Sequence, residues 1–224
     1  VNTSTKPNVV VVVGATATGK TTLGVELALK LDGEIVNGDS RLFYRGMDIA
    51  TAKPTMDERE GVLHHLIDIL DPNEYFNLAG YLKTARRVIS EIVERGKTPI
   101  IVGGSGQYIR ALIEGWEVPE IEPDMELRAR LEKMLEEEGV GSLAARLSSL
   151  APEVASDTDL LNPRRVIRAI ERVESSSSGT VPTRSKADEE PFNVHMIGLS
   201  VERSVLHERV RNRLSSMLIC GWQS

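Results

Sequence analysis

The sequence predicts an α/β fold: a parallel sheet core with helices on both faces, into which a helical domain is inserted. Three observations lead there. The apolar run Val9-Val10-Val11-Val12-Val13 is followed at once by Gly14-Ala15-Thr16-Ala17-Thr18-Gly19-Lys20-Thr21 and then by a helical pattern. That string fits GxxxxGK[ST], so the core reads as a phosphate-loop NTPase-like sheet. Further short apolar runs alternate with helical stripes up to residue 115, and from Trp116 the pattern turns wholly helical.

In chain order, residues 8–13 read as a buried strand and residues 20–31 as a helix with Leu23, Leu27, Ala28 and Leu31 as its apolar positions. Glu34-Ile35-Val36 is a second strand running into Asn37-Gly38-Asp39-Ser40. In an open α/β sheet the carboxyl end of a strand faces the ligand crevice, so Asp39 is expected near the phosphate loop. Residues 41–76 carry no long period and several turn residues, and read as a loop-rich rim with short elements. Leu78, Tyr81, Leu82, Ala85, Val88, Ile89 and Ile92 form a helical stripe that Gly96 stops. Pro99-Ile100-Ile101-Val102 is another buried strand, ending at Gly103-Gly104-Ser105-Gly106 before a helix over residues 107–113.

The expected domains are the first part of the core over 1–115, a helical insertion over 116–190, and a return to the core over 191–224. Within the insertion, Leu127, Leu131, Met134 and Leu135 make one apolar face, Leu143, Leu147 and Leu150 a second, and Val166, Ile167, Ile170 and Val173 a third. A polar, low-complexity stretch around residues 174–190 reads as a flexible loop. It is followed by a strand over 193–199 and an amphipathic helix over 202–218.

Composition narrows the function. With 41% hydrophobic and 27% charged residues the 224-residue chain has an ordinary globular balance. A net charge of −6 argues against a generally basic nucleic-acid binder, while leaving room for a local basic face. The single cysteine, Cys220, has no partner for an internal disulfide or a CxxC metal site, and a reducing cytoplasm fits best. The polar start reads as a short lead without signal character, and no apolar stretch approaches the roughly 20 residues that cross a bilayer. The adjacent His64-His65 pair lacks the spacing of a zinc site.

The phosphate loop gives a ligand class. Backbone N–H groups of residues 14–21 would curl around phosphate oxygens, Lys20 would reach the outer phosphates, and the Thr21 hydroxyl would hold Mg²⁺. A hydrolysing NTPase usually ends a later strand in an Asp that orients the metal, whereas here Val102 leads into Gly103-Gly104, which weakens that reading.

The string from Asp39-Ser40-Arg41-Leu42-Phe43-Tyr44 to Ala52-Lys53-Pro54 resembles the tRNA dimethylallyltransferase (isopentenyltransferase) family. His64-His65-Leu66-Ile67-Asp68, Gly103-Gly104-Ser105-Gly106-Gln107-Tyr108 and Asn162-Pro163-Arg164-Arg165-Val166-Ile167-Arg168-Ala169 agree with it in order, so the resemblance runs from about residue 9 to about residue 221. It implies transfer of a dimethylallyl group from dimethylallyl diphosphate to N6 of the adenosine 3′ of a tRNA anticodon. Mg²⁺ and Lys20 would neutralise the leaving diphosphate.

By the same resemblance, Asp39 matches the general base, and Ser105 stands where the family has threonine. Arg203 matches an arginine on the diphosphate, and Asp39, Ser40, Arg41, Leu42, Ser105 and Arg128 are expected at the tRNA. Arg164, Arg168 and Arg172 recur at four-residue spacing with Arg165 adjacent, a basic helix face suited to RNA phosphates. On spacing alone Asp39 could instead cap the next turn, and Arg203 reads as a solvated helix start. Leu42 replaces a glutamine of the family, Ala15 a proline and Pro163 a polar residue. Against the family pattern the chain reads as shortened after its last helix. The expectation is a cytoplasmic monomer acting on tRNA with no membrane partner. Rival readings are a P-loop kinase of a small molecule or nucleotide, a non-catalytic RNA-binding relative, and prenylation of a free adenosine nucleotide.

Overall fold

The structure, a computed structural model, describes residues 6–120, 124–175, 185–187, 189–219 and 221. Its elements are β1 (Asn8–Gly14), α1 (Lys20–Leu31), β2 (Gly33–Asn37), α2 (Met56–Arg59), β3 (His64–His65), α3 (Leu78–Glu94), β4 (Thr98–Val102) and α4 (Gly106–Ile113). They continue with β5 (Trp116–Glu117), α5 (Met125–Glu138), α6 (Val140–Leu150), α7 (Pro152–Ser156), α8 (Pro163–Glu174), β6 (Ser185–Lys186), β7 (Asn193–Leu199) and α9 (Arg203–Ile219). The chain divides into two compact units, Val118–Arg184 and the remainder.

The first unit is built on a five-stranded sheet in the order β3-β2-β4-β1-β7, with every pair parallel. Parallel strands must be covered on both faces, which is why β1 is an unbroken valine run and β4 carries Ile100, Ile101 and Val102 in succession instead of an alternating pattern. Val10, Val12, Ile35 and Ile100 pack with Val25 and Ala28 of α1 into one core cluster. Val9, Val11, Val36 and Ile101, one residue out of phase, are buried as well and point to the opposite face. The buried side of α1 is Gly24, Val25 and Ala28, whereas Leu31 is 44% exposed. The four-residue stripe expected for this helix is therefore rotated toward its glycine.

Within the rim expected to be loop-rich with short elements, His64 and His65 pair in parallel with Ile35 and Val36 and give the sheet its edge strand. That edge is tied from below. Glu34, 3% exposed, accepts hydrogen bonds from Arg95 Nη2 at 2.6 Å and His65 Nε2 at 2.7 Å. Burial alone would raise the Glu34 carboxyl, but these donors outweigh it and hold the group below the ordinary carboxylate range.

β5 and β6 pair antiparallel, so the chain leaves and re-enters the first unit side by side. The second unit is helical, with Leu127, Leu131, Leu143, Leu147, Ala155, Val166, Ile167, Ala169 and Ile170 as its core. Leu150, expected on the apolar face of α6, is 47% exposed at the helix end. Asp124 caps α5 by accepting from the Glu126 and Leu127 amides. Pro163 occupies the first turn of α8 behind the Asn162 cap, where its missing N–H has no partner to lose. The helix expected over 202–218 is present as α9, but among its described residues it buries none, and Leu214 and Leu218 are each 43% exposed, so it lacks the buried apolar side of an amphipathic helix. Cys220 and most of the low-complexity stretch lie outside the described residues.

Candidate active site

The loop between β1 and α1 is shaped by its own side chains. The Ala15 carbonyl accepts from Thr18 Oγ1 at 2.8 Å and from Lys20 Nζ at 2.6 Å. Gly19 sits at φ +94°, a left-handed conformation natural to glycine, and launches α1 from there. No side chain caps this helix start, so its first amide groups remain for an anion, with the helix dipole behind them. Burial lowers the Lys20 ammonium from its ordinary value; Asp39 opposes the shift and Arg213 adds to it. The loop lysine is thus electrostatically coupled to the β2 end and to α9. The Thr21 hydroxyl stands in the first turn of α1, half-buried.

Asp39 and Ser105 come together because β2 and β4 end against each other. A Cβ on Gly103 would lie 2.2 Å from the Gly38 carbonyl carbon, a contact that only glycine permits. Gly38 O accepts from the Ser105 amide at 3.2 Å, the Ser40 amide donates to Ser105 Oγ at 3.0 Å, and the two serine hydroxyls are 3.2 Å apart. Buried Asn37 sets the loop from beneath. Its Oδ1 accepts from the Asp39 amide at 2.8 Å, and its Nδ2 donates to the Asp39 and Leu66 carbonyls at 3.0 and 2.8 Å.

The turn-capping role weighed for Asp39 is present, since Asp39 Oδ1 accepts from the Arg41 amide at 3.0 Å. Its Oδ2 accepts no hydrogen bond among the described residues and faces Gly104, where an added Cβ would lie 3.3 Å away. The two oxygens of this carboxylate thus differ in their partners. Beside it Ser40, Arg41, Phe43, Tyr44, Met47 and Tyr108 line a cavity of about 370 Å³. The phosphate loop contributes nothing to its wall. Leu42 is half-buried, and its carbonyl accepts from the Asp68 amide at 3.2 Å.

Two residues that the sequence pattern did not single out reach this region from α9. Arg209 Nη1 lies 3.4 Å from the Ala17 carbonyl of the phosphate loop, and Arg213 Nη2 lies 3.4 Å from the Thr51 carbonyl. Arg203, the arginine expected on the diphosphate, is exposed at the start of the same helix, and its side chain makes no hydrogen bond or ion pair among the described residues. The available signal was topological: β7 pairs with β1 along its whole length, up to Gly14 opposite Leu199, so the helix after β7 starts beside the loop.

In the helical unit, Arg128 grips Glu171 as a fork, Nε at 2.7 Å and Nη2 at 2.9 Å, and Arg168 Nη1 joins the same carboxylate at 3.1 Å. Glu171 is 1% exposed. Arg165 pairs at 3.5 Å with Asp159, while Arg164 is exposed and makes no ion pair among the described residues. These four arginines therefore differ in freedom, with Arg164 the least committed.

The model of the IPP transferase family matches residues 42–224. The chain belongs to that family. A tRNA dimethylallyltransferase of Roseiflexus sp. (strain RS-1) is 43% identical over 212 residues, covering 95% of this chain and 69% of the relative. Its counterpart in Halalkalibacterium halodurans is 44% identical over 216 residues, covering 95% and 68%. Among solved structures, the tRNA isopentenylpyrophosphate transferase of Bacillus halodurans superposes with a TM-score of 0.64 at 41% identity, covering 97% of this chain and 67% of that one. A eukaryotic dimethylallyltransferase acting on tRNA gives a TM-score of 0.77 at 27% identity, covering 96% and 54%. IPP transferase membership accounts for the P-loop NTPase-like sheet with a helical unit set into it. Among the described residues no helix is long and apolar enough to cross a membrane.

Proposed function

We propose that this IPP transferase moves a dimethylallyl group from dimethylallyl diphosphate to N6 of the adenosine 3′-adjacent to the anticodon of tRNA. The observation that carries the reading is the meeting of the β2 and β4 ends. It sets a carboxylate oxygen without a hydrogen bond, Asp39 Oδ2, next to Ser40 and Ser105 and in electrostatic contact with Lys20 of the phosphate loop. In the reaction the allylic C–O bond breaks with its electron pair going to the diphosphate. The N6 lone pair forms the C–N bond, and the N6 proton passes to Asp39. An aromatic amine is a weak nucleophile, so a base placed to take that proton lowers the barrier. Loop amides and Lys20 would stabilise the charge that develops on the leaving group. The relatives' names support tRNA as the acceptor and dimethylallyl as the group moved.

The donor set fits a Mg²⁺ ion that arrives with the diphosphate. Thr21 offers one hard oxygen at the start of α1, and among the described residues no cluster of three or more His, Cys, Asp or Glu side chains could cage an ion. Mg²⁺ keeps water and substrate oxygens and needs few protein ligands. When bound it would neutralise diphosphate charge. Arg209 and Arg213 extend the same cationic surface from α9, and Arg164 of α8 is the arginine most available to RNA phosphate. We place the activity in the cytoplasm, in a monomer.

Incubation of labelled dimethylallyl diphosphate with unmodified tRNA tests the reading, with AMP as a competing acceptor and ATP as a competing donor. Label on tRNA supports it. Label on AMP alone, or phosphate transfer from ATP, replaces it with a nucleotide prenyltransferase or a kinase.

A further inference from the structure

The Gly46–Pro54 stretch contributes no group to the chemistry above, yet it contains a deeply buried lysine. The Lys53 side chain is 4% exposed, and its ammonium has three acceptors. It donates to the Tyr44 carbonyl at 2.9 Å, to Asp48 Oδ1 at 2.5 Å and to Asp68 Oδ1. These come from three places in the rim. Tyr44 belongs to the turn that starts at Asp39, Asp48 to the following loop, and Asp68 to the strand-like return at Asp68–Leu70, whose amides bond to Leu42 O and Phe43 O. The carboxylates are far more exposed than the lysine, 65% for Asp48 and 40% for Asp68.

Among the described residues between Ser40 and Phe76 the only regular elements are one turn of helix and the two-residue β3. Backbone bonds already pair residues 42–45 with residues 68–70. Among the described residues, the loop around Asp48 is tied to that pair through the Lys53 side chain. A buried cation with two carboxylates is a poor way to gain stability, since an apolar residue of similar volume commonly does as well. What it does supply is a joint between three chain segments, since parting them takes the buried ammonium away from these three acceptors. The segments so joined carry Phe43, Tyr44 and Met47, which form a wall of the cavity next to Asp39 and Ser40. The phosphate loop lines none of that cavity, while Ser40 and Arg41, which are expected at the tRNA, do line it. On the prenyl-transfer reading it is the acceptor side.

We infer that Lys53 is a positioning residue that holds the acceptor wall of the site in its binding shape by joining Tyr44, Asp48 and Asp68. The inference rests on the prenyl-transfer reading. It is tested with K53M, by steady-state transfer to tRNA with each substrate varied in turn and by the direct affinity for tRNA. The expected result is an acceptor KM and tRNA Kd raised about tenfold or more, with the donor KM within about twofold of wild type. Amide exchange should quicken at Ala52, Lys53 and Asp68–Leu70 and stay unchanged in β1 and β4. Acceptor constants indistinguishable from wild type overturn the inference, as does an equal rise in donor and acceptor KM with general loss of protection, which marks a mere scaffold residue. Should K53M fail to fold, D48N removes one exposed partner, and a rise of about threefold in acceptor KM alone is then expected; no change overturns the clamp. If the wild-type chain neither binds tRNA nor transfers label, the prenyl-transfer reading fails and this one with it. Wild-type transfer with an indifferent K53M sinks the clamp alone.

Discussion

At Asp39 the two oxygens of one carboxylate have separate partners, Oδ1 capping the turn at the Arg41 amide and Oδ2 carrying no hydrogen bond among the described residues. An amide in place of the carboxylate can keep the first contact and cannot take a proton. D39N is therefore expected to bind the donor normally and to lose about 10²–10⁴-fold in the single-turnover rate, the usual scale for a general base. Weak donor binding with an unchanged chemical step would make Asp39 a metal or structural residue. K20A should lose on the order of 10²-fold or more in kcat at saturating donor, since it deletes a charge aimed at the leaving group. Near-normal turnover would remove the loop from the diphosphate site. Residues 14–21 were legible in sequence because strand, glycine turn and helix are consecutive and each leaves its own signature. Arg209 and Arg213 were not, because an arginine on an exposed helix has the same pattern whether it meets solvent or the chain some 160 to 190 residues earlier.

At the level of elements, the site depends on how closely β2 and β4 end. G103A would push on the Gly38 carbonyl carbon, which lies 2.2 Å from the ideal Cβ position. Overpacking of this kind destabilises by about 1–3 kcal/mol. Thermal unfolding and kcat should fall together, and a variant with wild-type values for both would show that the close approach is dispensable. Glu34 ties β2 to β3 and α3, and its folded carboxyl is held below the ordinary range, so its contribution is present above pH of about 4.5 and fades as pH drops through the lower folded value. E34Q is expected to melt a few degrees below wild type at neutral pH, with the gap closing in acid; a gap independent of pH would locate the effect in packing alone. On α8, R164A should lower the slope of log tRNA affinity against log salt by about 0.7–0.9, one phosphate contact. An unchanged slope would turn attention to Arg128 and Arg168, which Glu171 holds in place. The long elements could be read from their periods, down to the bounds of α1 and α3. β3 could not, since two residues are too short for a period, and its register is set by β2 beside it.

Across the whole molecule, the parallel sheet and the helical second unit follow from one switch in pattern near Trp116, and family membership rests on ordered blocks that span both units. The sheet order was outside the reach of any local signal. The placement of β1 between β4 and β7 is what gathers the loop, Asp39, Ser105 and the α9 arginines at one end of the strands, from segments far apart in sequence. In the proposed reaction these parts couple two events, release of diphosphate at the loop and formation of a C–N bond beside Asp39. The direct measurement is a single turnover with excess enzyme, quantifying diphosphate and N6-prenylated adenosine in the recovered tRNA on the same samples. Coupling predicts equal amounts rising with one rate constant, and the modified adenosine 3′-adjacent to the anticodon. Diphosphate released without prenylated adenosine would refute it.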